Sequence, residues 1–349
     1  MQAAQAVDVM VVSLGSTAGL RVADEELVAA LARAGASVTM VRAIPPRALR
    51  TMMLTDLAWS RAARAAVRHA LAHGPRPQAL IYSSTTAALL WPRPGAIRFD
   101  APAATNRPGR HGLWQRPLER MRLRQSALLL PWSAPALEEA QRLGAGRDRA
   151  LVLPVAVEPS LQEGERAGGQ PRDIAAITYA ANPVKKGLDR VLGAWRELNG
   201  ARAGETRELV VAGASEPELR AAGLIGAMEG AAVRVVGRLG RDEYRALLRR
   251  ARVFVCAPRR EDYGLAQLEA LADGCQLVTT PAPGPYVALP LARRLDARLV
   301  GEQLAEALRA ALEDPLPDYS ARAREALAPF SAAAVQRAVT EQLLSRLLG

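Results

Sequence analysis

The chain has 349 residues, half of them hydrophobic. That is too apolar for global disorder and, at roughly 150 residues per domain, long enough for two domains. Its formal charge is +11, from 46 Lys plus Arg against 35 Asp plus Glu, and the total alone leaves nucleic acid, an anionic membrane surface and a phosphorylated substrate open.

In chain order, VDVMVVSLG reads as a strand. A glycine-containing turn leads to the amphipathic DEELVAALARAG and the strand SVTMV, a βαβ unit with Asp24 as helix cap and Gly35 as its end. Strand-like runs at 79–83, 96–99 and 127–132 alternate with helical segments near 56–73 and 113–125, so a first Rossmann-like, doubly wound domain is expected over 1–157. Residues 158–172, EPSLQEGERAGGQPR, are polar and rich in Gly and Pro, the composition of a linker.

A second α/β series is expected over 173–325. Strands at 174–180, 208–213, 232–237, 252–258 and 276–280 alternate with helices at 187–198, 241–251 and 264–274. The Ala- and Leu-rich tail reads as a closing helix, 326–349, packing back toward the first domain. Two such domains put the natural ligand site in the cleft between them, at the carboxyl ends of the strands.

No run approaches the ~18 apolar residues of a membrane span, and the start of the chain lacks the pattern of a signal peptide. The expectation is a soluble, cytoplasmic protein. Cys256 and Cys275 are expected as reduced, buried thiols, and with three histidines they make a metal site unlikely on composition. Of the 46 cationic residues 44 are Arg, so the adjacent Lys185 and Lys186 mark a place that wants a compact, strongly hydrated ammonium.

The most informative segment runs from Cys256 to Val278. A buried strand ends near Pro258, a polar loop carries Glu261, and a helix begins around Gly264, where free N–H groups and the positive end of the dipole make an anion site. Glu261 and Glu269, eight positions apart, can flank one elongated ligand with the shape of a nucleotide sugar.

These residues resemble the retaining glycosyltransferases of the GT-B fold, family four (glycosyl transferases group 1). That family carries Glu-x7-Glu in a context like E-x-F-G-L-x-x-x-E-A-x-A-x-G, and Glu261, Tyr263, Gly264, Leu265, Glu269, Ala270, Ala272 and Gly274 match it. The segment TYAANPVKKGLDRVLGAW resembles the family's strand, loop, Lys-Gly and helix, which implies that Lys186, with Lys185 beside it, neutralises diphosphate oxygens. The resemblance further implies donor contacts at Gly19 in the Gly15-Ser-Thr-Ala-Gly19 loop, at Gly237, Arg238 and Leu239 lining the base pocket, and at Tyr263, Gly264, Leu265 and Glu269. Catalytic roles fall on Glu261 and Lys186, with Asp100 either orienting the acceptor hydroxyl or donor sugar or serving as a helix cap or ion-pair partner.

One departure is plain. The family's phosphate-binding Arg falls on Ala180 here, with Arg238, Arg259 and Arg260 as candidate substitutes. The absence of any Asp-x-Asp sequence argues for transfer without a metal or other cofactor. The implied function is retaining transfer of a sugar from a UDP- or GDP-sugar to a hydroxyl of a glycan, lipid-linked or small-molecule acceptor. The alternatives are a catalytically inactive binding or scaffold subunit and, on the same fold, an epimerase or phosphorylase.

Between Arg93 and Arg124 eight arginines face Asp100 and Glu119, interleaved with Trp91, Phe99 and Trp114. The readings are an anionic membrane surface at the inner face of the cell membrane or the solvated face of an Arg-biased protein; nucleic acid is disfavoured, since no RRM, KH or helix-turn-helix pattern accompanies the cluster.

Overall fold

The structure, a computed structural model, describes residues 7–47, 49, 51–107, 109–161, 171–200 and 207–349. Part of the expected linker, 162–170, lies outside the described residues. The chain forms two compact units, Met1–Ala156 with Phe330–Gly349, and Val157–Pro329.

In the first unit the elements are β1 (Val7–Ser13), α1 (Ala18–Arg33), β2 (Val38–Arg42), α2 (Met52–His73), β3 (Pro77–Tyr82), β4 (Ala96–Phe99), α3 (Gln115–Gln125), β5 (Leu129–Pro131) and α4 (Ala134–Arg142). The strands are parallel in the order β2-β1-β3-β4-β5. A parallel sheet carries helices on both faces, which is why its strands are continuous apolar runs. Val9 and Val11 accordingly pack with Leu27 and Leu31 of α1, while Met10 and Val12 pack with Ala63 and Val67 of α2.

The second unit contains β6 (Ile174–Tyr179), α5 (Leu188–Gly200), β7 (Leu209–Ala212), α6 (Glu216–Ala221), β8 (Val233–Gly237), α7 (Arg241–Arg250), β9 (Ala251–Cys256), α8 (Leu265–Ala272), β10 (Gln276–Thr279), α9 (Ala288–Leu295), α10 (Leu304–Glu313) and α11 (Tyr319–Ala326). Its parallel order is β10-β9-β6-β7-β8. From β6 the chain first moves outward to β7 and β8, then returns to lay β9 on the other side of β6. Between β6 and β9 the strand order reverses, and at such a switch point the loops leaving two neighbouring strands open a crevice at their carboxyl ends. Those two loops carry Lys186 and Glu261.

Three expectations need correction. Helix α1 begins at Ala18, with the Thr17 hydroxyl accepting from Leu20 N at 3.2 Å, so Asp24 is not its cap. Asp24 is instead buried as the seventh residue of the helix, where its carboxylate accepts the Ser13 hydroxyl. The closing helical run starts at Ala332 and not at 326, because Pro329 supplies no N–H and Ser331 caps a new helix through Ala334 N. This run, α12 (Ala332–Ala338), a π turn (Val339–Leu343) and α13 (Leu344–Leu348), places Val335, Val339 and Leu343 in the first unit's core beside Leu27 and Leu31.

The third correction concerns 93–124. Trp91 and Phe99 are buried, and Arg98 is 2% exposed, its guanidinium over the Trp132 ring and donating to Ala23 O. Arg93 donates to the carbonyls of Pro77 and Gln78, Arg116 to those of Gly109 and Gly112, Arg122 to that of Leu89, and Arg107 pairs with Asp56. Much of this charge is turned inward onto backbone oxygen and is not offered as a basic surface with exposed aromatics.

Candidate active site

The lysine loop is shaped by its own sequence. The Asn182 side chain accepts from Lys185 N at 2.9 Å and its carbonyl accepts from Lys186 N at 2.9 Å, folding Asn182–Lys186 into a tight turn after β6. Gly187 then takes φ +63° and comes so close to β9 that an added Cβ would lie 1.9 Å from Ala257 O. Arg259 N donates to Lys185 O at 2.9 Å, so backbone contacts on both sides of the lysines fasten this loop to the one that follows β9.

The acidic loop is equally constrained. Glu261 N donates to Pro283 O, and Gly284, at φ +111°, lies against the Glu261 carbonyl. Gly264 adopts the left-handed conformation as the N-cap of α8, with its α-carbon against the Tyr286 ring. Among the described residues no side chain caps that helix. Its first amides are therefore left for another acceptor.

The result is two parallel ion pairs. Lys186 Nζ lies 2.6 Å from Glu261 Oε2, and Lys185 Nζ lies 2.7 Å from Asp262 Oδ2. Burial works against the Lys186 ammonium, but the Glu261 charge and hydrogen bond outweigh it and hold the pKa above the ordinary lysine value. Burial likewise opposes the Asp262 carboxylate, and Lys185 and Arg260 reverse it, leaving the pKa below the usual range. Removing one member of the buried Lys186–Glu261 pair strands the other charge, which costs about 3–5 kcal/mol.

A neutral hydrogen-bonded group stands behind Glu261. Gln267 of α8 donates to Glu261 Oε2 at 3.0 Å and lies 3.6 Å from the Cys256 sulfur. The Cys256 thiol donates to the Thr279 hydroxyl, which is 2.9 Å from the Tyr286 hydroxyl. Burial pushes the Cys256 and Tyr286 pKa values up, keeping both groups neutral. Cys256 and Cys275 are both free and buried.

Glu269 is the fifth residue of α8, with Arg241 and Arg245 of α7 at 3.8 and 3.7 Å. Gly237 ends β8 at φ +70°, and Leu239 sits half-buried in the loop after it. Arg238 between them pairs with Glu218 at the surface. Of the candidate replacements for the arginine missing at Ala180, Arg259 pairs with Asp189 and donates to Val184 O, and Arg260 pairs with Asp262, so both belong to the lysine and acidic loops. Tyr263 is buried, and its carbonyl accepts from Val287 N.

In the first unit Gly19 lies in the first turn of α1, while Gly15, at φ +57°, makes the turn after β1. Asp100 follows β4 and accepts from Ala101 N at 2.8 Å. Asp262, Arg241, Arg245 and Gln267 were not singled out from sequence. Asp262 and Gln267 sit at unspecified positions of the matched motif, and the two arginines are lost among the other 42. Among the described residues no group of three or more His, Cys, Asp or Glu is placed to hold a metal ion.

Residues 172–317 match a model of the family described as glycosyl transferases group 1. No curated protein sequence matches the chain. The structure is similar to that of WaaG, a glycosyltransferase involved in lipopolysaccharide biosynthesis, with a TM-score of 0.72 at 17% identity over 98% of this chain and 100% of that one. HepE from Anabaena, in complex with UDP and glucose, gives 0.70 at 12% identity over 97% and 100% of the two chains. Sucrose-phosphate synthase from Thermosynechococcus elongatus gives 0.67 at 14% over 99% of each. The chain thus has the GT-B fold of these glycosyltransferases, and its residues 172–317 match the glycosyl transferases group 1 family.

Proposed function

We propose that the protein transfers a sugar from a nucleoside-diphosphate sugar to an acceptor hydroxyl, with retained anomeric configuration and without a metal. The observation that carries this is the ammonium of Lys186 held 2.6 Å from Glu261 beside the uncapped start of α8. A diphosphate entering there meets Lys186 and the amides of Gly264 and Leu265, and it competes with Glu261 for the lysine. The donor carbon–oxygen bond breaks with its electron pair going to the diphosphate, whose growing charge these groups stabilise. Glu261, freed from part of its pairing, orients the donor sugar and favours the oxocarbenium-like state. The acceptor oxygen bonds the same face, and its proton goes to the departing phosphate oxygen.

Glu269 is assigned to the ribose hydroxyls, Gly237, Arg238 and Leu239 to the base, and Tyr263 to packing the loop. Lys185 and Arg260, which share Asp262, stand in for the arginine absent at Ala180. Gly19 and Asp100 are assigned to the donor and acceptor from the first unit. UDP is the first donor nucleotide to try because HepE structures hold UDP and UDP-glucose.

Calorimetry with UDP, GDP and ADP tests the reading. One nucleotide is expected to bind in the micromolar range, and Lys186→Ala and Glu269→Ala each to weaken it about ten- to a hundred-fold, the worth of a charge-assisted hydrogen bond. Absence of binding by all three overturns it. Tight binding with no turnover of any nucleotide sugar would instead fit a catalytically inactive binding or scaffold subunit.

The acceptor is assigned to the glycan or lipid-linked class and the location to the cytoplasmic face of a membrane. What supports this is on the first unit, away from the buried aromatics of 93–124. Ile44, Leu49, Met52 and Leu54 are exposed at the entry to α2, and Leu113 is 62% exposed. Asp56 holds the 107–115 segment against this turn through Arg107 and Gln115. It is the one carboxylate between 43 and 73, and it is buried, whereas Arg47, Arg61 and Arg68 are exposed. Exposed apolar residues rimmed by arginine suit an anionic bilayer. The chain is expected to sediment with phosphatidylglycerol vesicles and not with phosphatidylcholine, less so at high salt and in the double variant Ile44→Ser, Leu113→Ser; equal binding to both lipids, or none, refutes it. Among the described residues no helix is long and apolar enough to cross a membrane.

A further inference from the structure

Gln267 occupies an unusual place. It is the third residue of α8 and 1% exposed, yet its side-chain oxygen, Oε1, has no partner. A glutamine three residues past an N-cap ordinarily turns back to the cap's own backbone N–H. Here the side chain also turns back, as helical side chains do, but it delivers its amide N–H to the Glu261 carboxylate instead. A buried amide with an unpaired acceptor is less stable than an apolar side chain of the same size. Helix stability therefore does not explain the residue.

Both donors to Glu261, the Lys186 ammonium and the Gln267 amide, meet the same oxygen, Oε2. Oε1 of Glu261 has no partner among the described residues and is the oxygen left to meet a ligand. We propose that Gln267 is a positioning residue: it anchors Glu261 Oε2 so that Oε1 stays presented to the donor sugar when the diphosphate draws Lys186 away. The inference rests on the diphosphate reading of the same site and names what keeps Glu261 in place during turnover.

The surroundings fit this role. The groups facing Glu261 from other elements are Lys186 from the lysine loop, Cys256 at the end of β9, Thr279 of β10 behind it and Tyr286 from the following loop, with Asp262 and its partners Lys185 and Arg260 alongside. Among the described residues only Lys186 and Gln267 donate to the Glu261 carboxylate. Leaving out Gln267 would let the carboxylate rotate as soon as Lys186 turned to phosphate.

The test uses Gln267→Met, close in volume but with neither amide group, and Gln267→Leu as a second variant. The chain has only two lysines, so lysine labelled with ¹⁵N at Nζ gives two ammonium signals, assigned with Lys185→Arg. In both Gln267 variants the Lys186 signal is expected to shift, because the carboxylate it pairs with loses its second donor. The Lys185 signal should not change, and the melting temperature should stay level or rise. With UDP-glucose as the probe donor, kcat is expected to fall about tenfold with KM within about twofold, the pattern of an interaction made in the transition state. An unmoved Lys186 signal overturns the proposal whether or not a donor is turned over. The diphosphate reading fails separately, if UDP, GDP and ADP all leave the wild-type Lys186 signal where it was.

Discussion

A Cβ built on Gly187 would lie 1.9 Å from Ala257 O, on a residue whose φ of +63° already disfavours any side chain. Both faults come from one requirement, the seating of the lysine turn directly on the end of β9. Gly187→Ala is therefore expected to cost about 2–4 kcal/mol in urea denaturation and to weaken nucleotide binding by separating Lys186 from Glu261. A loss below about 1 kcal/mol would mean that the turn relaxes without disturbing the pair. At this scale the sequence was informative where the chemistry is rare. Two lysines in a chain of arginines, and two glutamates at a fixed spacing, stood out. Gln267 and Asp262 did not, because an amide or a carboxylate acquires a role only from what it faces, and Glu261 and Lys185 reach them by tertiary contact.

Among the elements, the strands were legible and some helix ends were not. Strands buried on both faces, such as β1, β9 and β10, appear as short apolar runs bounded by Gly, Pro or polar residues, and they fall within one or two residues of where the pattern put them. The start of α1 was misplaced because Gly15-Ser-Thr-Ala-Gly19 looks like a loop, although Thr17 caps the helix within it. Asp24 has the right chemistry for a cap, but the Ser13 hydroxyl at the end of β1 needed an acceptor, and a buried carboxylate supplied one. The arginines of 93–124 misled for a related reason. A guanidinium has five donors, and here they satisfy carbonyls at the start of β3, in the segment between β3 and β4 and in the turn before α3. Which arginines face water depends on those carbonyls, and composition does not report it.

Across the molecule four buried carboxylates, Asp24, Glu119, Asp262 and Asp296, have shifted pKa values, and they divide by unit. In the first unit burial raises the pKa of Asp24 and of Glu119, the latter despite the amides of Ala103 and Ala104 that donate to it. In the second, Lys185 and Arg260 overcome burial and lower Asp262, and Arg298 does the same for Asp296. A raised folded-state pKa gives stability that is complete below the unfolded value and lost as pH rises through the folded one; a lowered pKa gives stability lost as pH falls. Acidification from pH 7 to about pH 4 should thus stabilise the first unit, and the loss in the second should come below about pH 4. Hydrogen exchange read by mass spectrometry, corrected for intrinsic rates, should show protection falling in 173–325 more than in 7–156. A parallel loss in both units would show that other groups govern the acid response.

The sequence by itself determined the alternation of strand and helix, the two α/β halves and the Glu-x7-Glu signature, because periodicity and rare residues are local properties of a chain. Only the tertiary structure decided that Lys186 and Glu261, 75 positions apart, are partners. They meet because β6 and β9 are neighbours at the point where the strand order reverses, and strand order is set by how the helices cover the sheet. The same packing turned charge that looked like a surface inward, and it put an amide at Gln267 to hold the carboxylate in place.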